Sequence, residues 1–285
     1  MENVTSGNDA AEKKVADFYN NQGWITRDGI TEDAKRFEDL RSCAAGYISK
    51  CRLRTLRHIP LSGESIIDMA SGPIQYPEYL TFSSGFKKRY CVDLSQDALD
   101  KAKELIGTHG KFLHGSFFDL NFEDDFFDCA ISLHTIYHMD KNKQEDAVRK
   151  LIKIVKKDKP IIIIYSNPNA FYSSPKSPLR RFVKVIKQIR VFSFKEKVTP
   201  PIIPQQEADL YFYRHELSWW KRFEDVSMVK ILPWRTFEVE MQTRLFPDNF
   251  IGKLMFKFLF FAEEMFPTYF TKVGVYPMIV ITKKC

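Results

Sequence analysis

At 285 residues, 44% apolar and 28% charged, the chain has enough apolar material for one elaborated domain with an ordinary globular core. Met1 to Lys14 is polar, with no apolar leader, and no run reaches the roughly 18 uncharged apolar residues of a spanning helix. The net charge of +7 is moderate, and the five cysteines form no CxxC or zinc-type spacing, so reduced packing cysteines, no metal site and a cytoplasmic location are expected.

Taken in order, Met1 to Ala10 reads as a tail and Ala11 to Tyr19 as a short helix. Thr31 to Arg57 reads as one longer helix, capped by Thr31, with Phe37, Leu40, Ala44 and Ile48 at helical spacing. After the breaker Pro60 a strand and helix alternation begins. Ile66-Ile67 is a strand, Tyr76 to Phe82 a short helix, and Tyr90 to Val92 a strand. Ser95 caps a helix that Gly107 stops. Lys111 to His114 and Phe127 to Leu133 are strands, Lys143 to Val155 a helix. Ile161 to Tyr165 is a strand apolar throughout, as one buried on both faces should be. Such alternation predicts an α/β, Rossmann-like, doubly wound, mostly parallel sheet.

Residues 168–206 break the pattern. Six prolines bracket a basic block, residues 176–197, with Arg180, Arg181, Lys184 and Lys187 among its cations and Glu196 its lone acid. This reads as an inserted binding element that, with the Phe-rich segment Ile251 to Phe270, forms the acceptor side; the two fit an anionic or membrane-associated acceptor, with peripheral contact at the inner membrane surface, better than a compact soluble metabolite, and a nucleic-acid partner is not expected. A helix near His215 to Phe223, a strand near Val226 to Leu232, a helix over Ile251 to Phe266 and a final strand, Tyr276 to Thr282, complete the chain. The division expected is 1–60 as tail and helical cap and 61–285 as the main domain.

The strongest signal is a pair. Asp68-Met69-Ala70-Ser71-Gly72-Pro73 follows the first strand, and the second ends in Asp93 about twenty residues later. A glycine turn and a strand-end acid grip an adenosine, the turn beneath the ligand and the carboxylate on the ribose hydroxyls. A dinucleotide and S-adenosylmethionine both fit that pattern. A pyrophosphate needs free backbone N–H groups; Pro73 has none, Ile74 and Gln75 add side chains where the backbone should approach the phosphate, and the GxGxxG pattern is reduced to Gly72, which disfavours an NAD-dependent oxidoreductase.

Ile66 to Gly72, then Val92-Asp93-Leu94-Ser95, then Phe126 to His134 resemble, in order and spacing, the landmarks of class I S-adenosylmethionine-dependent methyltransferases, in the small-molecule branch that includes quinone C-methyltransferases. The resemblance covers roughly residues 60–167 and, more loosely, the final strands. It implies seven strands, the last antiparallel. It also implies that Asp68 and the Ala70-Ser71-Gly72 backbone hold the methionine end of the cofactor, and that Asp93 binds the ribose with Leu94 against the adenine. Ser116 and Phe117 occupy the place of the family's Gly-Asp-Ala, where Ser116 departs from the usual acid. Leu133 and His134 would line the cofactor's centre, with Tyr19 lying over it.

Methyl transfer needs an aligned acceptor and, for some acceptors, a base. His134-Thr135-Ile136-Tyr137-His138 sits where open α/β sheets bind ligands. His138 is the first candidate base, His134 a pocket contact, Tyr137 a neighbour of the acceptor and His215 a second candidate base. Packing or capping roles for these side chains stay open beside the chemical ones. The expected activity is methyl transfer, at oxygen, to a small-molecule, lipid-linked or sugar acceptor. C-methylation of a quinone-like ring and a non-catalytic cofactor-binding protein remain as alternatives.

Overall fold

The computed structural model describes residues 7–170 and 210–284. The basic block at 176–197 and most of the expected insertion lie outside them.

The N-terminal part holds α1 (Gly7–Phe18), a π turn at Tyr19–Gly23, a two-residue ribbon of β1 (Thr26–Arg27) and β2 (Ile30–Thr31), α2 (Glu32–Phe37) and α3 (Ser42–Leu53). The sheet is built from β3 (Gly63–Met69), β4 (Phe86–Asp93), β5 (Gly110–His114), β6 (Cys129–Leu133), β7 (Pro160–Ile164), β8 (Ser227–Arg235) and β9 (Tyr276–Lys283). Its order is β5-β4-β3-β6-β7-β9-β8, parallel through β7, with β9 antiparallel to both neighbours. The seven-stranded, doubly wound expectation holds. The order reverses between β3 and β6, so the ligand crevice of such a sheet lies at their carboxyl ends.

Period-two alternation buries both faces. Ile67, Ile161, Ile163, Ile279 and Ile281 enter one core, closed by Val148, Leu151 and Ile152 of α6 (Gln144–Ile154) and by Trp220. Ile66, Ile131, Ile162 and Ile164 enter the other, with Phe82 and Trp234. Cys43, Cys51, Cys91 and Cys129 are buried free thiols.

The helices differ from expectation where tertiary contacts intervene. Thr31 does cap, accepting from Ala34 N at 3.1 Å. The single helix expected over Thr31 to Arg57 is instead two, broken at residues 38–41. Glu38 is extended (φ −118°, ψ 142°), and its carboxylate accepts from Arg235 at 2.8 Å. Asp39 receives Arg41 N and its guanidinium. Phe37 and Leu40 are consequently exposed, while Ala44 and Ile48 are buried. Between β3 and β4 stands only the five-residue α4 (Pro77–Thr81); α5 (Gln96–Ile106) follows β4 with Ser95 as its cap. Leu217–Phe223 is a 3-10 helix.

After β8 come α7 (Val239–Leu245), α8 (Phe250–Met265) and α9 (Pro267–Val273). Tyr47 of α3 stacks on Phe256 of α8, and Phe246 stacks on Phe256 from the other side. Arg54 binds Glu263 at 2.9 Å, both side chains essentially without solvent, and Glu264 at 2.8 Å. Removing one partner of a buried pair leaves an uncompensated charge. Arg54→Met is therefore expected to lower the unfolding free energy by about 3–5 kcal/mol in urea denaturation. Glu264→Gln, at a partly exposed position, should cost under about 1 kcal/mol.

Candidate active site

Four backbones at the strand ends lie in the left-handed region: Ala70 (φ 58°), Gly72 (φ 55°), Ile74 (φ 53°) and His134 (φ 60°). For the three non-glycine residues this costs on the order of 1–3 kcal/mol each, the kind of strain that clusters at ligand sites. The turn doubles back under Asp93. Gly72 N donates to Asp93 Oδ2 at 2.8 Å, and Ser95 N donates to Asp93 Oδ1 at 2.9 Å. The acid thus holds the turn and caps the start of α5 while keeping lone pairs for a diol. Burial pushes the Asp93 carboxyl up to about 6, against the stabilising hydrogen bonds from Ser95 and Gly72.

Asp68 lies deeper. Its Oδ2 accepts two N–H groups of Arg89, which is itself fully buried and also donates to Tyr79 O at 2.7 Å. What the turn presents to a ligand is therefore chiefly the Ala70-Ser71-Gly72 backbone. Ile74 points under α5 with Cys91, Leu99 and Ala102, so it is a core residue and no obstruction to a phosphate. The turn still makes a poor phosphate cradle, for a different reason: no helix starts at it, and α4, when it begins, begins with a proline.

The N-terminal segment folds down onto this turn. The indole of Trp24 lies where a Cβ on Gly72 would meet it at 3.1 Å, and Tyr19 stacks on Trp24 at 4.7 Å. Tyr19 feels the charges of Asp33 and Asp93. Thr31 Oγ1 donates to Gln75 Oε1 at 2.5 Å, and Gln75 Nε2 to Asp33 Oδ2 at 2.9 Å. Ser116 Oγ donates to Glu12 Oε1 at 2.8 Å, which brings a carboxylate from α1 to the position where the strand-end loop has none. Leu94 is partly exposed beside Asp93. Phe117 is buried in the main core.

Across the crevice, His134, Tyr137 and His138 cluster as their spacing suggested. His134 Nδ1 is 3.1 Å from the Tyr137 hydroxyl, and its ring meets Trp234 and Tyr276 edge-on at 5.0 and 4.9 Å. Leu133 packs partly buried just before it. Burial, then the charges of Arg235, His138 and Arg52, hold the His134 imidazole well below its usual range. His138 Nδ1 donates to Tyr211 O at 3.0 Å, since a carbonyl only accepts, which leaves Nε2 with the lone pair. Burial lowers the His138 imidazole to about 4. His215 stands apart from this group, stacked flat on Trp219 at 4.3 Å in the wall of the main core.

Sequence reasoning missed the ionic wall behind His134. Arg235, at the end of β8, binds Glu38 at 2.8 Å and lies over the rings of Trp234 and Tyr276. Arg52 reaches the same Glu38 at 3.4 Å and Glu78 at 3.3 Å. The available signal was an arginine closing an otherwise apolar strand end. Glu12 carried no signal, because only the fold brings α1 to Ser116. Among the described residues no group of acids, histidines and cysteines could hold a metal.

The site fits S-adenosylmethionine. A diol acceptor stands beside the Gly72 turn, the turn is a poor phosphate cradle, and the Trp24 indole that covers Gly72 keeps its buried Nε1 without a partner among the described residues. A ribose diol needs the ionised carboxylate, whose fraction falls below about pH 6. Calorimetric titration should accordingly show affinity weakening by up to about tenfold per pH unit below that value, and Asp93→Asn binding weakly with no such limb. Gly72→Ala should lower stability by about 1 kcal/mol in thermal melts, because its Cβ strains a left-handed backbone and presses on Trp24.

Residues 67–163 match the family described as a methyltransferase domain. No curated protein matches the chain in sequence. Among solved structures, a geranyl diphosphate C-methyltransferase from Streptomyces coelicolor, in complex with Mg2+, geranyl diphosphate and S-adenosyl-L-homocysteine, superposes with a TM-score of 0.55 at 14% identity, covering 96% of this chain and 98% of that one. A magnesium protoporphyrin IX methyltransferase from Synechocystis with bound S-adenosylmethionine gives 0.53 at 10% identity, covering 100% of both. At such identities the likeness is one of fold. What ties this chain to methyltransferases is therefore the family match over residues 67–163 and a fold shared with these two structures.

Proposed function

We propose that the chain transfers the methyl group of S-adenosylmethionine to an oxygen of a small-molecule, lipid-linked or sugar acceptor, with His138 as general base. The observation that carries this reading is the juxtaposition at the sheet's switch point. The Gly72–Asp93 grip lies at the ends of β3 and β4, and the His134–Tyr137–His138 cluster follows β6 beside them.

When bound, the cofactor supplies an activated methyl on a sulfonium. The chain does the rest. Asp93, the Ala70-Ser71-Gly72 backbone, Leu94 and Ser116 with Glu12 would hold the adenosine and methionine ends, and Tyr19 with Trp24 would cover them. Asp68 would act through Arg89 to support the turn. The rings of His134, Tyr137, Trp234 and Tyr276 would wall the acceptor and exclude water. The Tyr211 carbonyl fixes the His138 tautomer, so Nε2 can take the acceptor's proton as the new bond forms. Phe117 and His215 would support the site from the core.

A second reading, C-methylation of an apolar ring or chain, is favoured by the same aromatic wall, since an apolar acceptor needs shape more than hydrogen bonds. Mass analysis of product from a labelled donor separates carbon from oxygen transfer, and absence of any turnover with cofactor bound would identify a non-catalytic binder.

At saturating cofactor and acceptor, His138→Ala is expected to lower kcat by about 10²–10⁴ while leaving the cofactor Kd unchanged. Because the His138 imidazole titrates near 4, kcat should hold level from pH 7.5 to 5.5, where an ordinary histidine would already have lost its lone pair. An unchanged kcat in His138→Ala would leave alignment alone as the source of catalysis.

A further inference from the structure

Helix α8 shows two unlike faces. One carries Phe256, Leu259 and Glu263, buried against α3. The other carries Phe250 (72% exposed), Leu254, Phe258 (71%), Phe261 and Met265 at i, i+4, i+8, i+11 and i+15, all open to solvent. The exposed stripe continues through Phe266 to Tyr269 of α9. Such a contiguous apolar surface is uncommon on a monomeric protein and marks an interaction site.

The unpaired charges along α8 and α9 are basic. Both acids of α8 are drawn off by arginines: Glu263 by Arg54, and Glu264 by Arg54 and Arg57. Lys253, Lys257 and Lys272 are exposed along the same two helices, with no ion pair among the described residues. An apolar aromatic face edged by lysines is the composition of a helix lying in the headgroup region of an anionic bilayer, rings in the acyl boundary and ammonium groups reaching phosphates. A second copy of the chain would instead bring lysine-edged patches together. At 16 residues α8 extends about 24 Å, and no helix among the described residues is long and apolar enough to cross a membrane.

We infer that the α8–α9 face is a docking surface for an anionic lipid bilayer, on which the protein lies without spanning it. The placement gives this a use. α7 and α8 follow the end of β8, where Trp234 and Arg235 stand beside His134, and Asn167, just past β7, holds the last turn of α9 through Lys272 O at 3.0 Å. The helices that carry this face are therefore anchored at the crevice end of the sheet. The inference goes beyond the proposed methyl transfer, and its test needs no turnover.

The test is co-sedimentation of the full chain with phosphatidylcholine vesicles, with and without phosphatidylglycerol, at low and high salt. The chain should sediment with the phosphatidylglycerol vesicles at low salt and much less with phosphatidylcholine alone. Phe258→Ser with Phe261→Ser, both at exposed positions, should reduce binding at least about tenfold, the loss of two inserted side chains, with an unchanged melting temperature. Lys253→Gln with Lys257→Gln should weaken binding to the anionic vesicles only and flatten its salt dependence. Absence of binding to anionic vesicles at low salt would overturn the inference. So would full binding by the double phenylalanine variant, which would put the contact elsewhere on the chain, or light scattering showing a dimer that this variant dissolves, which would make a second copy the occupant.

Discussion

The Asp93 carboxylate is the interaction on which the site depends. One oxygen accepts the N–H of Gly72 and the other that of Ser95, so a single side chain ties the turn after β3 to the start of α5. Because β3 and β4 are adjacent parallel strands with Met69 opposite Val92, their carboxyl ends arrive together and the acid spans between them. The left-handed backbones at Ala70, Gly72 and Ile74 are tolerated because the turn is pinned in this way. The same carboxylate lies close to Tyr19, whose ring stacks on the Trp24 indole covering Gly72, and Lys101 of α5 donates to the backbone carbonyl of Trp24. Turn, acid and covering segment form one unit.

A second unit is ionic. Glu38 is shared by Arg52 of α3 and Arg235 of β8, and Arg54 joins the end of α3 to α8. These contacts bind the N-terminal helices to the last third of the chain across nearly two hundred residues of sequence. They also shape the electrostatics of the crevice. Arg235 adds its field to burial in keeping His134 neutral, and burial does the same for His138, so both imidazoles are uncharged near neutral pH. Arg54 draws Glu263 inward and, with Arg57, pairs the exposed Glu264, which leaves the lysines as the unpaired charges, among the described residues, along the outer face of α8.

Much of the architecture was legible because it rests on local rules. The all-apolar run Ile161 to Ile164 announces a strand buried on both faces, Ser95 and Gly107 mark the ends of α5, and the Gly72–Asp93 spacing announces two strand ends meeting at a ligand. The longer helix expected from Thr31 failed where a distant charge mattered. Phe37 and Leu40 kept helical spacing with Ala44 and Ile48, yet Arg235 recruits Glu38 from an extended backbone and splits the helix there. The reason Ile74 spoils no phosphate site was likewise invisible, because its direction follows from a φ of 53° that no neighbour in the sequence prescribes.

The sequence by itself determined the succession of strands and helices, the turn and its acid, and the placing of an imidazole cluster after β6, because hydrophobic period, capping chemistry and short spacings act over a few residues. Only the tertiary structure decided that Asp68 answers Arg89, that Glu12 meets Ser116, that Arg235 stands behind His134, and that α8 turns its phenylalanines outward. Each of those depends on which charge or surface finds a partner across the folded chain, and pairing at that distance is set by packing and burial, which local pattern does not encode.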